Sequence, residues 1–447
     1  MKQQTGTQSR LGIAGWAIIL MALALGIWSG PLAAQSQDAD ERIAYRVKPG
    51  DTLIGLSRTY FRKADDWREV QRINRIANPN RLRIASTMAI PVRLLRSTPV
   101  ELRVDSFTGP VRIEGFGAPK GASVGLVVDE GSTVRTGPRG FVTLAATGGD
   151  TVSLPSQTAV RLVRARRYLI NDRLDVLFAL ANGRATFSPT PKRDGDRWRV
   201  RTPVAVTAVR GTTFRIFHVA DEITSGTEVV EGTVQLAGGE TSRPLEEGFG
   251  NVAKPSGLLP PEQLLPAPTI VDPGRVQTDT EVTFAIAPVS GASGYRVQVA
   301  RDAGFLDVVA QDVTDRPEAS FEDIGNGTYF VRSMAIAESG LEGFAEAYSF
   351  RRQRVGVVAS VEESPLGNGF KFAWRPQGED TALYDFKLWR EDREDRPLVA
   401  ELGMRQRELV LTDLPPGTYF WQVTALRIAP EGIVSAAASP QKLTVSP

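Results

Sequence analysis

Apolar and polar positions alternate along most of this chain, but one segment near its start has a longer period. Residues 45–92 predict a strand, two helices and a closing strand, because their central apolar residues recur three or four positions apart. These residues are Leu53, Leu56 and Tyr60 in the first helix, and Trp67, Val70 and Ile73 in the second. We expect Asp51 to cap the first helix, and Asp66 with Glu69 to cap the second. The NPN sequence at 78–80 should break the second helix.

From residue 100 to about residue 240 the alternation has the two-residue period of strands, in short runs between turn signals. The dipeptide Asn182-Gly183 predicts a hairpin between two of these runs. Residues 241–265 are rich in proline and glycine and lack periodicity, which predicts an irregular linker.

The remainder of the chain contains an internal repeat. Tyr295 corresponds to Tyr384 and Tyr329 to Tyr419, at offsets of 89 and 90 residues. This spacing is the size of one small β-sandwich, so we predict two sandwiches, over residues 266–352 and 353–447.

The first 34 residues predict export. Lys2 and Arg10 are followed by an uncharged, mostly apolar run from Leu11 to Trp28, and small residues ending at Ala34 offer a cleavage site. A retained membrane anchor is the alternative, since the run approaches the about 20 residues that span a bilayer. We expect the rest of the chain to be periplasmic after cleavage, or membrane-anchored without it.

Composition excludes several kinds of chemistry. The chain has no cysteine, which rules out disulfides, thiol nucleophiles and thiolate metal sites. Its one histidine, His218, lies on an apparent strand and is interpreted as structural. No segment resembles a hydrolase. We therefore expect no catalytic residues, no cofactor and no metal site.

Charge is balanced overall but sorted along the chain. Without the first 34 residues there are 51 basic and 51 acidic residues, and this balance argues against a nucleic-acid partner. Residues 43–95 have eleven basic and four acidic residues, whereas residues 266–447 have 18 basic and 26 acidic. The front of the chain is thus positive and the back negative.

The segment beginning YRVKPGDTLIGLSRTY and ending NPNRLRIASTMAIPV resembles a LysM module, over residues 43–95. LysM modules bind glycans that contain N-acetylglucosamine, chiefly peptidoglycan and chitin. The resemblance implies a sugar groove between the turn after the first strand and the loop after the second helix. It assigns to this groove Gly50, Asp51, Thr52 and Leu53, facing Ile76, Asn78, Pro79 and Leu82.

The residue types fit such a groove. Gly50 lets the backbone approach a ligand, and free amides at a helix start can donate to an acetamido carbonyl. Leu53 and Ile76 would cover the acetyl methyl group. The alternative is that Gly50 only makes a turn and Asp51 only caps a helix, although both roles can hold together. The family's Pro-Gly before the last strand is replaced here by ASTM at 85–88, which alters the second wall.

Three further segments resemble the extracytoplasmic FecR domain over about residues 104–239: GSTVRTGPRGFVTLAATGGDTVSLPSQTAVRL, RTPVAVTAVRGTTFRI and TEVVEGTVQLAGG. Signalling members of that family carry a long cytoplasmic segment, whereas ten residues precede the apolar run here. We therefore expect the β domain alone to act, as a binding or spacer unit. Arg210 and Gly211 are interpreted as turn residues. The Arg-rich segments 161–173 and 192–201, the second containing Trp198, are interpreted as solvated faces.

The repeated GTYF segments resemble fibronectin type III domains, with Trp374 and Tyr384 as core residues. The sequence thus predicts a mainly β, multidomain protein: a small βααβ LysM module, an all-β FecR-like domain over 100–240, and two β-sandwiches. It favours a non-catalytic, periplasmic, peptidoglycan-binding protein whose later domains face envelope protein partners. An envelope signalling or ligand-sensing protein acting through the FecR-like domain is the alternative.

The export prediction can be tested on the native protein. We expect the mature chain to begin near Gln35, because signal peptidase cleaves after small residues such as Ala34. Mass spectrometry of the N-terminal peptide from the periplasmic fraction measures this. An intact N-terminus recovered from membranes would instead establish the anchored form.

Overall fold

The computed structural model describes residues 41–115, 117–364, 367, 369–377, 383–391, 393–429 and 432–446. The chain divides into two compact units, Met1–Arg96 and Ser97–Pro447. The predicted signal segment lies outside the described residues. Within the described ranges, no helix is long and apolar enough to cross a membrane.

The described part of the first unit, residues 41–96, is called the head. Its elements are β1 Arg42–Arg46, α1 Leu53–Tyr60, α2 Trp67–Asn74 and β2 Thr87–Pro91, with single 3₁₀ turns at Ala64–Asp66 and Val92–Leu94. The two strands pair antiparallel, with Tyr45 opposite Met88. A small core forms between this ribbon and the helices, and its fully buried members are Leu53, Phe61, Val70, Ile90 and Leu95.

The helix caps differ from those predicted. Thr52, and not Asp51, caps α1, since its Oγ1 accepts a hydrogen bond from Gly55 N at 3.0 Å. The Asp51 carboxylate, one residue earlier, accepts from Lys48 N in the preceding turn and not from an amide of the helix. Asp66 behaves similarly and accepts from Lys63 N at 3.0 Å, closing the turn before α2.

The end of α2 also differs. The helix ends at Asn74, followed by Arg75 in the left-handed region at φ 52°, before the NPN sequence is reached. The Asn74 side chain joins α2 to β2: its Oδ1 accepts from Ala89 N at 2.7 Å, and its Nδ2 donates to Ala89 O at 2.8 Å. These bonds satisfy the edge of β2 that no strand covers.

In the second unit, residues 97–263 form a closed barrel, called the barrel below. Its strands are β3 Ser97–Pro99, β4 Leu102–Thr108, β5 Val111–Glu114, β6 Lys120–Gly121, β7 Val127–Val128, β8 Thr133–Thr136, β9 Phe141–Ala146, β10 Thr151–Leu154, β11 Ala159–Tyr168, β12 Arg173–Ser188, β13 Arg197–Arg201, β14 Val206–Val209, β15 Thr213–Val219, β16 Thr224–Glu231, β17 Thr233–Gly238, β18 Thr241–Glu246, β19 Phe249–Lys254, β20 Gly257–Leu258 and β21 Glu262–Gln263.

Strand β12 runs straight through the predicted hairpin, so that prediction is wrong. Its first half pairs with β11 and its second half with β15, and the strand changes partner near Asn182 and Gly183. Gly183 has φ +90°, and a Cβ there would come within 2.7 Å of Gln157 O. The Asn-Gly pair therefore allows a close strand crossing without reversing the chain.

The predicted irregular linker at 241–265 is also wrong, because strands β18 to β21 occupy most of it. β18 pairs with β17, and β19 pairs with β16. Pro244 lies within β18, opposite Gln235 of β17. Proline and glycine content alone did not distinguish these strands from a loop.

Two β-sandwiches follow the barrel. The first sandwich contains β22 Val282–Ala285, β23 Ala292–Ala300, β24 Val308–Thr314, β25 Glu318–Phe321, β26 Gly327–Ala337 and β27 Glu342–Arg352. The second contains β28 Val357–Glu363, β29 Gly369–Pro376, β30 Leu383–Arg390, β31 Val399–Met404, β32 Glu408–Thr412, β33 Gly417–Ala429, β34 Gly432–Ala437 and β35 Gln441–Val445.

The strand pairing of the first sandwich repeats in the second. The sheet β24-β23-β26-β27 faces β22-β25 in the first, and β31-β30-β33-β34 faces β28-β29-β32 in the second. Trp374 and Tyr384 are both buried, with ring centroids 5.9 Å apart. Tyr419 is buried as well, and its hydroxyl donates to Pro415 O at 2.6 Å, as in the tyrosine corner of immunoglobulin-like domains. The predicted mainly β, multidomain fold is confirmed.

The Asn74 clamp generates a prediction. Asn74→Ala removes both bonds to Ala89, and we expect it to destabilise the head by about 1–3 kcal/mol. Hydrogen exchange of the full chain measures this as exchange roughly tenfold or more faster in peptides covering β1 and β2. Asn80→Ala is the control, because Asn80 is exposed and its side chain does not join α2 to β2. Equal exchange in the two variants would contradict the clamp.

Candidate functional site

The predicted groove residues come from two chain segments that one hydrogen bond joins. Leu53 N, at the start of α1, donates to Pro79 O in the loop after α2 at 2.7 Å. This bond brings the turn at 48–53 beside the loop at 76–82. The two predicted walls are therefore adjacent in the structure.

The turn at 48–53 forms the first wall. Gly50 is exposed at φ +88°, and no atom lies within 4 Å of the position that a Cβ would take. The space in front of the turn is thus open. Asp51 rigidifies the turn from behind, since its Oδ2 accepts from Lys48 N at 2.7 Å and from the Tyr45 hydroxyl at 2.9 Å. Burial and the Asp51 carboxylate together raise the pKa of Tyr45, which keeps this hydroxyl protonated.

Leu53 has a different role from the one expected. Its side chain is fully buried in the head core, so it cannot cover an acetyl methyl group. Leu53 is the first residue of α1, where its side chain turns inward while its backbone N–H faces Pro79. Thr52 is half-buried and its hydroxyl is engaged by Gly55 N.

The loop at 76–82 forms the second wall. Ile76 is fixed by Gln71 in both directions, through Ile76 N to Gln71 O at 3.0 Å and Gln71 Nε2 to Ile76 O at 2.9 Å. Asn78 organises the loop by accepting from Asn80 N at 2.9 Å through Oδ1. Ile76, Pro79 and Leu82 are half-buried, and each leaves part of its apolar surface accessible.

The ASTM segment that departs from the family pattern is anchored to the end of β1. Val47 N donates to Ser86 O and Ala85 N donates to Val47 O, both at 2.9 Å. Ala85 adopts a left-handed φ of 62°, a conformation usually given to glycine. Ile84 beside it is 60% exposed. The sequence did not single out Ile84, and its exposure adds apolar surface next to the 76–82 loop.

Charge on the head points outward. All eleven basic residues between 43 and 95 are exposed. The four acidic residues are engaged: Asp65 pairs with Arg68 at 2.7 Å, Glu69 pairs with Arg93, and Asp51 and Asp66 accept from turn amides. The head therefore presents a net positive surface to solvent.

Among the described residues, no group of three or more histidines or carboxylates is arranged to hold a metal. His218 is buried in the barrel, with Nδ1 3.0 Å from Thr224 O and 2.9 Å from Ser225 Oγ. Burial lowers the pKa of His218, which favours the neutral ring. These contacts fit a structural role.

The Arg-rich segments are not the solvated faces that the sequence suggested. Trp198 is 2% exposed and packs in the barrel core against Phe187 and Phe178, at centroid distances of 5.4 and 5.3 Å. Asp175 is fully buried and pairs with Arg164 at 2.9 Å and with Arg199 at 2.8 Å. Residues alternate across β13, so the arginines flank a tryptophan that points inward.

Gly211 lies in a turn as expected, with φ +107°. A Cβ at this position would come within 2.5 Å of Pro191 Cα, so the close approach requires glycine. Arg210 is exposed and pairs with Asp194 at 3.1 Å.

Two family models match parts of the chain. The LysM domain model matches residues 45–91, and the FecR protein model matches residues 132–235. The predicted LysM and FecR resemblances are confirmed. The head is therefore LysM-like and the barrel FecR-like. No curated protein matches the chain.

Solved structures give only distant likenesses. Two crystal structures of a candidate anti-sigma factor from Parabacteroides distasonis align with 19% identity over 29% of this chain and 59% of theirs, with a TM-score of 0.25. The chain thus spans 59% of the length of those proteins. The FN1–FN3 domains of chicken CNTN1 align with 14% identity over 76% of this chain and 100% of theirs, with a TM-score of 0.21. The repeated sandwiches are fibronectin type III-like, as their own strand pairing shows.

Gly50 and Leu53 lie in the same turn but differ in burial, so substitutions at these two positions should affect stability differently. Leu53→Ala leaves a cavity in the head core and should cost about 2–5 kcal/mol. Gly50→Ala meets open space and should cost only about 1–2 kcal/mol, the strain of a left-handed alanine. Hydrogen exchange of head peptides in the full chain measures both. A smaller loss for Leu53→Ala than for Gly50→Ala would contradict the burial of Leu53.

Proposed function

We propose that this protein is a non-catalytic, periplasmic, peptidoglycan-binding protein. The head holds the glycan, and the barrel and sandwiches are presented to envelope protein partners. The observation that carries the proposal is the bond from Leu53 N to Pro79 O, which places the open turn at Gly50 beside the half-buried apolar loop. The family match over 45–91 supports a glycan that contains N-acetylglucosamine.

The groove offers the two kinds of contact that an N-acetyl group needs. Backbone amides at the open turn before α1 can donate to the acetamido carbonyl, and Gly50 leaves room for that approach. Ile76 and Leu82 supply apolar surface for the methyl group. Leu53, being buried, acts through its backbone only.

The charge of the head favours peptidoglycan among such glycans. Peptide stems of peptidoglycan carry carboxylates, whereas chitin is uncharged. Eleven exposed basic residues on the head would attract the stems, and added salt should weaken this attraction without abolishing binding. One small open groove offers few contacts, so we expect a dissociation constant on the order of 0.1 mM, or about −5.5 kcal/mol.

The absence of catalysis is part of the proposal. Among the described residues of the second unit, three carboxylates are fully or nearly fully buried, and all three are paired with arginines: Asp175, Glu228 and Glu342. Such pairing occupies the lone pairs of each carboxylate, which suits neither a general acid nor a nucleophile.

A second candidate is supported by the FecR match over 132–235. In this alternative the barrel senses a ligand or a protein at the envelope and the head only positions it. The sequence assigns no ligand site to the barrel, so an experiment has to distinguish the two candidate functions. A direct partner in the cytoplasmic membrane that binds the barrel favours this alternative.

Binding to purified sacculi tests the proposal. We expect the full chain to cosediment with sacculi, and a chain lacking residues 43–95 to remain in solution. Gly50→Val fills the open turn and should weaken binding at least several-fold, and Leu82→Ala should act in the same direction. Val124→Ala, a 69% exposed valine of the barrel, is the matched control.

Two further readouts complete this experiment. Soluble muropeptides should not rise above a heat-killed control, and circular dichroism should show that each variant is folded. If folded Gly50→Val and Leu82→Ala bind like the parent chain, the groove assignment is wrong. Release of muropeptides would overturn the non-catalytic part alone.

A further inference from the structure

Charged side chains are buried where the barrel meets the first sandwich. Glu228 of the barrel is 0% exposed and Glu342 of the sandwich is 1% exposed. The two are in contact, since Glu342 N donates to Glu228 Oε1 at 2.8 Å. Buried carboxylates require partners, and arginines from both domains supply them.

Both carboxylates are fully engaged. Arg184 of the barrel bridges them, at 2.6 Å to Glu228 and 3.1 Å to Glu342. Arg215 binds Glu228 at 2.5 Å, and Arg296 binds Glu342 at 2.5 Å. Burial opposes ionisation of Glu342, but the guanidinium groups of Arg184, Arg296 and Arg215 outweigh it and hold the pKa of Glu342 far below its usual range.

A fourth arginine, Arg332 of β26, has no such partner. Its Nε and Nη2 both donate to Gln298 Oε1, at 2.9 and 2.7 Å, and its guanidinium lies 4.2 Å from the centre of the Phe305 ring. Among the described residues no carboxylate forms an ion pair with it. Burial and the nearby guanidinium of Arg215 lower the pKa of Arg332 to about 10, although Glu342 and Asp302 act in the opposite direction.

The remaining nearby carboxylate, Asp302, does not complete the balance. It accepts from Leu306 N at 3.1 Å and from Asp307 N at 2.7 Å, which holds the loop that carries Phe305. Four guanidinium groups therefore face three carboxylates, Glu228, Glu342 and Asp302. One positive charge is left over in a region of low exposure.

These groups surround a cavity of about 30 Å³ between the barrel and the sandwich. Its polar lining includes Arg184, Arg215, Arg296, Gln298, Arg332 and Glu342. A cavity of this size has room for about two water-sized species. Arg332 is half-buried and has no ion-pair partner in the described part of the chain, and a cation of this kind beside a polar cavity favours occupation by an anion over occupation by water alone.

We propose that this cavity, the junction cavity, binds one small monovalent anion, a halide, beside Arg332 and Arg296. The anion completes the charge balance of the junction. Because the arginines around it come from both domains, the bound anion strengthens the attachment of the sandwich to the barrel. Larger anions are excluded by the size of the cavity.

Thermal unfolding of the full chain tests the proposal with defined salts. Sodium chloride and sodium acetate are compared with sodium gluconate at equal ionic strength, since gluconate is too large for the cavity. We expect chloride to raise the unfolding midpoint of the second unit by on the order of 2 °C relative to gluconate. No rise in acetate is expected, and an equal rise in acetate would overturn the assignment to a halide.

Two variants test whether the chloride effect on the unfolding midpoint arises at the junction cavity. Arg332→Met keeps the length of the side chain and removes the unpaired charge, so the difference between chloride and gluconate should disappear. Its midpoint in gluconate should equal or exceed that of the parent chain, because an uncompensated charge has been removed. Arg316→Met, at an exposed arginine of the same sandwich, should keep the full chloride effect.

A crystal grown in sodium bromide gives a second measurement that needs no variant. Anomalous density between Arg332 and Arg296 is the expected result. Equal midpoints in chloride and gluconate, or a chloride effect that persists in Arg332→Met, would overturn the proposal. Absence of bromide from the cavity would overturn it as well.

Discussion

The arrangement of the second unit depends on the buried carboxylate of Glu342. Removing a carboxylate from water is costly, and only the arginines of both domains make this position tolerable. Backbone packing reinforces the attachment: a Cβ at Gly343 would come within 2.3 Å of Leu265 O, and Phe305 is buried beside Phe141 of the barrel. The barrel surface around Arg215 is therefore occupied by the chain's own sandwich. Any protein that binds the barrel has to bind another face.

In the head, main-chain hydrogen bonds and not buried ion pairs determine the shape of the candidate site. The bond between Leu53 N and Pro79 O sets the distance between the walls, and Asp51 and Gln71 fix each wall through main-chain groups. Side chains that face the groove are few, and the half-buried Ile76 is typical of them. A site of this kind tolerates sequence change as long as the turn and the loop keep their shapes, and it offers modest affinity.

Periodicity was sufficient to predict the order of elements in the head, because burial of one face imposes the 3.6-residue period on a helix. The two sandwiches were predicted from the repeat at offsets of 89 and 90 residues. Predictions from residue type were wrong where the same residue type occurs in two kinds of local structure. Asn182-Gly183 makes a strand crossing instead of a hairpin, and Pro244 lies within strand β18. Leu53 was assigned to the groove because it lies in the motif, yet its position at the start of α1 turns it inward. The pairing of Arg199 with Asp175 joins residues 24 positions apart on the neighbouring strands β12 and β13, so no local pattern reveals it.

The central claim is that the head holds an N-acetylglucosamine-containing glycan between its two walls. The most direct measurement is amide chemical-shift mapping of the full, isotopically labelled chain during titration with an oligomer of N-acetylglucosamine. The account predicts saturable shifts for Gly50, Thr52, Ile76 and Leu82, with a midpoint on the order of 0.1 mM. Shifts confined to residues 97–447, or none at concentrations about tenfold above that midpoint, would contradict it.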